Sequence, residues 1–305
     1  GNSNHDTMNF ILLLYILSWV KYGTSRKVYK TMSQLRILGG TNATDGDYSY
    51  IVRLEMRIYD LNNATKRAYS HHMCTGTTLT ESWTLTAAHC IIAIQSEKPL
   101  LLSKYAADFE FKEVISYGKV TSTLYDENTY SEVISSIIHP GFRQVSNKEM
   151  HNDVGLLHTH PTILKQYGRL SSIDYTTLIG EEALAVGYGF TQAGNVFGDT
   201  LELKFPLQIL KILIKRCGTA DLYPVMCIAR QCGKSAALCP GDSGGPVLHS
   251  SGVVGVNSRS KTIDCSSLRE FFNTRNVGFV TATSPYVEWI INHIKGRNHD
   301  SNMRR

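Results

Sequence analysis

Ala237-Leu-Cys-Pro-Gly-Asp-Ser-Gly-Gly-Pro246 places a serine hydroxyl in a glycine-rich bend with an aspartate beside it. Ser243 reads as a nucleophile. A serine is a weak attacker at neutral pH, so this reading requires a histidine to take its proton and a buried carboxylate to orient that histidine. Both lie upstream, His89 in Thr86-Ala-Ala-His-Cys90 and Asp153 in His151-Asn-Asp-Val-Gly-Leu-Leu157. Taken one at a time, a glycine turn, a histidine and an aspartate occur in any globular protein. Three of them in the order His, Asp, Ser, each in its own short motif, point to acyl transfer.

At 305 residues with a 42% apolar share, the chain can bury a large core in one two-lobed domain with short extensions. The net charge of +5 is mild and scattered, which argues against nucleic-acid binding. Met8 is followed by Phe10-Ile-Leu-Leu-Leu-Tyr-Ile-Leu-Ser-Trp-Val20, an apolar run of secretory-leader length, short of the ~20 residues that span a bilayer. Cleavage near Gly23 to Ser25 and no stable membrane association are expected. A short signal anchor is the competing reading, because Lys21 and Arg26 follow the run closely. Seven cysteines behind such a run point to an oxidising, extracellular compartment. Asn42-Ala-Thr44 and Asn63-Ala-Thr65 have the form of glycosylation acceptors. The histidines form no His-Glu-x-x-His pattern, and neither a metal nor another cofactor is expected.

Short β-rich runs dominate, as in Tyr50-Ile-Val-Arg-Leu-Glu-Met-Arg-Ile58, where apolar and polar residues partly alternate. Few long helical periods appear; Pro285 to Ile294, with Ile, Val and Trp at helical spacing, reads as a terminal helix, and the polar tail after Gly296 as frayed. Alternation alone leaves an all-β barrel and an all-β sandwich equally open.

The chain resembles the trypsin/chymotrypsin-type serine proteases. The motifs that carry the resemblance are Cys74-Thr-Gly-Thr-Thr-Leu79, Leu85-Thr-Ala-Ala-His-Cys90, Ile138-His-Pro-Gly-Phe142, Gly187-Tyr-Gly189 and the Ser243 bend. It covers Ile37 to about Lys295. It implies two six-stranded antiparallel barrels with the site between them and a C-terminal helix. The expected organisation is residues 1–25 as upstream residues and signal peptide, 26–36 as a short activation peptide, 37–296 as the protease domain and 297–305 as a polar tail.

Further roles follow from the resemblance. His89 is the base, Asp153 its orienter and Ser243 the nucleophile, Ser258 supports Asp153, and the N–H groups of Gly241 and Ser243 form the oxyanion hole. A cut after Arg36 releases Ile37, whose new ammonium pairs with Asp242. Ala237, six residues before the nucleophile, lies at the floor of the first specificity pocket with Ser260 and Gly278 on its walls. A methyl group there offers a buried cation no partner, so an apolar, chymotrypsin- or elastase-like preference is implied. An enzyme that cannot cut after arginine needs a separate trypsin-like protease to activate it. The implied bridges are Cys74–Cys90, Cys217–Cys227 and Cys239–Cys265. Cys232 is left free, competing with Cys227 for Cys217, or bound to another chain.

Several residues depart from the family pattern: Tyr188 and Arg259 stand where Trp is usual, Pro240 precedes Gly241, and Glu55 to His72 exceeds the common loop. The expected protein is a secreted zymogen of a serine endopeptidase acting on protein or peptide substrates. The alternative is a catalytically silent homologue serving as a binding or cascade cofactor.

Overall fold

Along Gln208-Ile-Leu-Lys-Ile-Leu-Ile-Lys-Arg216 the buried side chains are Gln208, Leu210, Ile212 and Ile214, with the residues between them turned outward. A strand with one face on a core must alternate in this way, because successive side chains point to opposite faces. A computed structural model describes Ile37 and residues 39–44, 46–61, 67–105, 109–118, 129–146, 149–189, 206–217, 224–231, 236–260 and 276–302. The leader, the 26–36 segment with Arg36, the Asn63 tripeptide, Cys232, Cys265 and residues 303–305 lie outside the described residues.

The elements are β1 (Thr41–Asn42), β2 (Ile51–Asp60), β3 (Arg67–Thr80), β4 (Trp83–Thr86), α1 (Ala88–Tyr105), β5 (Phe109–Ser116), β6 (Tyr130–Ile138), β7 (Arg143–Ser146), β8 (Glu149–His151), β9 (Gly155–Thr159), β10 (Glu182–Gly187), β11 (Gln208–Arg216), β12 (Val225–Arg230), β13 (Pro246–His249), β14 (Gly252–Ser260), β15 (Asn276–Ala282) and α2 (Val287–Asn302). Strands β2-β3-β4-β9-β6-β5 close the first antiparallel barrel. The second runs β11-β10-β13-β14-β15-β12 and closes through β12 on β11, with β1 added to β11 at Gln208 and Ile209. Two six-stranded barrels with a C-terminal helix are therefore present, as the resemblance implied.

Each barrel has its own apolar interior. Leu54, Trp83, Leu85, Ile115 and Leu156 fill the first, and Tyr286 and Ile290 join the same cluster from the chain's end. Leu210, Ile212, Ile214, Val247 and Val280 fill the second together with Ile37 and Ala237. The Cys74–Cys90 bridge ties β3 to α1 across a separation of 16 residues, and Cys217–Cys227 ties the end of β11 to β12. Cys239 is disulfide-bonded as well.

Three expectations need correction. α1 was not foreseen, because the β-branched Ile91-Ile92 pair and Pro99 both disfavour a helix. Burial of Ile91 and Ile94 and the bridge at Cys90 override that local preference. Glu55 to His72 is not simply a long loop, since its two arms continue β2 and β3 as a paired hairpin. The terminal helix starts after a 3-10 turn at Ser284–Tyr286 and extends to Asn302, so the tail is helical from Gly296 to Asn302 where fraying was expected. One glycine in a helix costs only about 1 kcal/mol, and no proline follows to stop it.

β2 is buried on both faces over its first seven residues, which puts charges in the core. Glu55 and Arg57 are wholly buried and paired at 3.1 Å. Ser116 donates to Glu55 at 2.8 Å and accepts from Arg57 at 2.8 Å, and the guanidinium lies 4.3 Å from the centre of the Tyr130 ring. Removing one partner strands the other charge, so Glu55→Leu should lower the unfolding free energy by about 3–5 kcal/mol in a urea titration. The double variant Glu55→Leu/Arg57→Met should recover most of that loss; if it does not, a stranded Arg57 charge is not the source of it.

Candidate active site

His89 stands in the first turn of α1, immediately after the buried pair Ala87-Ala88. Asp153 follows β8 in the turn to β9. The preceding Asn152 has a left-handed backbone (φ 51), and its amide donates to the Gly141 carbonyl at 2.7 Å while accepting from the Tyr286 hydroxyl at 2.7 Å. That clamp directs the wholly buried Asp153 side chain at His89. The His89 ring donates from Nδ1 to Oδ2 at 2.7 Å, the His89 backbone N–H donates to Oδ1 at 2.9 Å, and the Ser258 hydroxyl donates to Oδ2 at 2.5 Å. Burial alone would raise the Asp153 pKa; the charge on His89 and these hydrogen bonds more than offset it and hold the carboxyl below the usual range.

Ser243 comes from the second barrel. Its bend is fixed by Gly244 N–H on the Asn257 carbonyl (2.7 Å), Gly245 N–H on the Asp242 carbonyl (3.1 Å) and Asp242 N–H on the Cys239 carbonyl (3.0 Å). The N–H groups of Gly241 and Ser243, by contrast, donate no hydrogen bond among the described residues. The Ser243 hydroxyl donates to the Ser258 carbonyl at 3.4 Å. It makes no hydrogen bond to His89, whose Nε2 lies 3.7 Å from the Cys90 sulfur. Ser258 therefore touches two of the three sequence-predicted residues, one through its hydroxyl and the other through its carbonyl. In substrate-free sites such hydrogen bonds are often long and tighten only around the reacting group.

Asp242 is also wholly buried, and accepts from Gly189 N–H at 2.7 Å and Cys239 N–H at 2.8 Å. A Cβ at Gly187 or Gly189 would fall 2.3 to 2.5 Å from its carboxylate oxygens, so the Gly187-Tyr-Gly189 motif is the space this side chain occupies. Among the described residues no basic side chain pairs with it. Burial raises its pKa to about 7, with the two N–H groups pulling the other way. Ile37, its expected partner, lies in the second core with its side chain buried.

Ala237 is buried in that same core. Gly278 pairs in register with Ser260 across β14 and β15, and its face meets Leu238. The backbone thus brings the three pocket candidates into one region; the Ser260 side chain lies outside the described residues. Cys74, His89 and Cys90 have ligand atoms within 4.8 Å of one another, but the two sulfurs are bonded to each other and have no thiolate to offer a metal. Sequence reasoning assigned no role to Asn152 or Thr75. Nothing in their local patterns distinguishes them from ordinary turn and strand residues.

A family model described as Trypsin matches residues 37–290. The chain belongs to the trypsin family. The venom peptide isomerase heavy chain of Agelenopsis aperta is 27% identical over 229 residues, covering 70% of this chain and 82% of that protein. The trypsin Tyr p 3.0101 of Tyrophagus putrescentiae is 26% identical, covering 92% and 88%, and granzyme M of Homo sapiens is 26% identical, covering 72% and 78%. As a trypsin-family member the protein is a serine endopeptidase, a hydrolase acting on protein substrates.

The two buried carboxylates give opposite pH dependences. Asp153 is lowered, so its stabilisation is present above the ordinary carboxylate range and is lost as pH falls. Asp242 is raised, so its contribution is complete below the ordinary value of 3.8 and is lost as pH rises through about 7. Relative to Asp242→Asn, the thermal midpoint of the single-chain protein should therefore decline between about pH 4 and about pH 7. Equal slopes in the two proteins would remove Asp242 as the source.

Proposed function

We propose that this trypsin-family chain is a secreted zymogen whose active form cuts peptide bonds after apolar residues through an acyl-enzyme. The observation that carries the reading is the bonded series His89–Asp153–Ser258–Ser243, which draws on both barrels. Ser243 attacks the scissile carbonyl while His89 takes its proton. The C–N bond then breaks as His89 returns that proton to the leaving amine, and water repeats the sequence on the ester. Asp153 keeps the imidazole in one tautomer and stabilises the imidazolium. The N–H groups of Gly241 and Ser243, unpaired among the described residues, suit the oxygen on which charge develops. The hydroxyl's bond to Ser258, at 3.4 Å, is weak enough to be given up when substrate arrives.

The state of Asp242 supports activation by cleavage. A buried carboxylate raised to about 7 and lacking a basic partner among the described residues suits a new ammonium, and a cut between Arg36 and Ile37 would create one. The uncharged Ala237 supports apolar specificity, with Ser260 and Gly278 as walls, and with it dependence on a separate trypsin-like activator. The apolar run at Phe10–Val20 supports secretion, and the exposed Asn42 and Thr44 support a glycan at that site.

Two measurements check this reading. A fluorophosphonate should label Ser243 after cutting at Arg36 and fail on the Arg36→Gln chain; strong labelling of uncut protein would sink the activation step, and no labelling of well-folded cut protein would favour a silent homologue. In a positional peptide library, Leu, Met, Phe or Tyr before the cut should outpace Lys or Arg more than a hundredfold, the rate equivalent of about 3 kcal/mol for an uncompensated buried charge. A preference for Arg that disappears in Ser243→Ala would overturn the pocket assignment.

A further inference from the structure

Thr75 lies in the first barrel, yet most of its polar bonds reach the second. It is wholly buried. Its hydroxyl donates to the Gly241 carbonyl at 2.7 Å and accepts the Tyr188 N–H at 3.0 Å. Its own N–H donates to the Ser243 carbonyl at 2.8 Å, and its carbonyl accepts the Thr86 hydroxyl at 3.0 Å. One residue therefore holds the backbone at Gly241 and again at Ser243, on both sides of Asp242. These are the two residues whose N–H groups donate no bond among the described residues.

Gly241 needs an external hold. Its backbone is left-handed (φ 93), and a Cβ there would come within about 3.0 Å of Gly189 Cα and His72 Nε2, so only glycine fits. Glycine is also the residue least able to keep its own dihedrals. With no side chain on Gly241 to lock its peptide, an acceptor bond from a buried hydroxyl does so. That hydroxyl is fixed in turn, because the Tyr188 N–H occupies its lone pair and leaves its proton for Gly241.

We infer that Thr75 is a positioning residue for the oxyanion hole: its side-chain hydroxyl, oriented by Tyr188 N–H, holds the Gly241 carbonyl while its backbone N–H holds that of Ser243, and together they aim the N–H groups of the two residues at one point. The inference rests on the proposed reading of those two groups. Donors aimed before reaction stabilise charge that develops only in the transition state, so a loosened hole lowers kcat and leaves ground-state binding alone. A simple brace between the barrels would instead change stability or the fraction of folded enzyme.

The test uses the activated full chain and three variants. Thr75→Val keeps the branched shape and removes the hydroxyl, so the Gly241 carbonyl keeps His72 but loses Thr75 and the Tyr188 N–H loses its acceptor; Thr75→Ser keeps the hydroxyl. Per titrated active site, Thr75→Val should lower kcat about 10- to 100-fold with KM changed less than about twofold. Affinity for a peptide aldehyde, whose tetrahedral adduct carries the oxyanion, should fall by the same factor as kcat/KM, while affinity for the matching product peptide should not change. Thr75→Ser should restore most of kcat. Unchanged kcat in Thr75→Val, a parallel loss of product affinity, or no rescue by serine would each overturn the inference. Should Thr75→Val not fold, Thr75→Ala is measured in the same way, and failure of both to fold would make Thr75 a structural brace and overturn it too. An inactive wild type would sink the site reading itself, whereas an active wild type with an indifferent Thr75→Val sinks only this inference.

Discussion

A carboxylate sealed from solvent between two barrels constrains the rest of the site. Burying an ionised aspartate is unfavourable by several kcal/mol unless charge and hydrogen bonds are returned to it (about 3–5 kcal/mol is lost when such a partner is removed). Asp153 receives them from His89 on the first barrel and from Ser258 on the second. Neither barrel alone could satisfy it. The Asn152 clamp draws in the end of the chain as well, since the Tyr286 hydroxyl holds Asn152 and the ring beside it packs edge-on to His139. The 3-10 turn that leads into the terminal helix thus contributes to the geometry of the site, through a turn that has to keep one left-handed residue in place.

Asp242 shows what the same burial does without a cation. Both carboxylates are wholly buried and both accept backbone N–H bonds, yet one is lowered and the other raised to about 7. The difference lies in the charge of His89 and in the side-chain hydrogen bonds from His89 and Ser258, which Asp153 has and Asp242 lacks. Two N–H dipoles hold Asp242 in position without compensating its desolvation. A protein that keeps such a group beside Ser243 carries a standing requirement for positive charge there, and the group's contribution to stability must fall as pH forces it to ionise.

The sequence made some of this legible and hid the rest for physical reasons. His89, Asp153 and Ser243 stand out because reactive residue types sit in short motifs in a fixed order, and Gly187-Tyr-Gly189 only because it matches the family's motif, the lack of room for a Cβ beside Asp242 being visible in the structure alone. Barrels could not be told from a sandwich by alternation, since strands in either have the same period, and only the resemblance separated them. α1 was hidden because Ile91, Ile92 and Pro99 locally favour other structures, and tertiary burial overrides such preferences. Thr75 was hidden because a threonine in a β-run needs no explanation; its importance comes from a partner 166 residues away, which no local pattern carries.

One departure from the family pattern, Tyr188, sits in a connected group of buried residues. Tyr188 stands where the resemblance led us to expect Trp, and its hydroxyl donates to the Ile51 carbonyl at 3.2 Å while its N–H is taken by Thr75. Arg53, almost fully buried, stacks 4.3 Å over the Tyr188 ring, and its charge adds to burial in lowering the neighbouring His72 to about 3. His72 in turn lies close behind Gly241, where a Cβ would come within 3.0 Å of its ring. A histidine at its ordinary value would gain charge near neutrality, directly behind the backbone N–H groups proposed to meet negative charge. Held at about 3 it stays neutral wherever the protein is folded and working, so the ground behind the candidate oxyanion hole keeps one electrostatic state. The sign of the linkage fits that division of labour: a depressed histidine destabilises the fold as pH falls through its ordinary value of 6.5 toward about 3, and Asp153 loses its advantage only lower, below the ordinary carboxylate value of 3.8. Falling pH therefore withdraws the support of His72 first and that of Asp153 afterwards, while rising pH acts on Asp242 alone of the three.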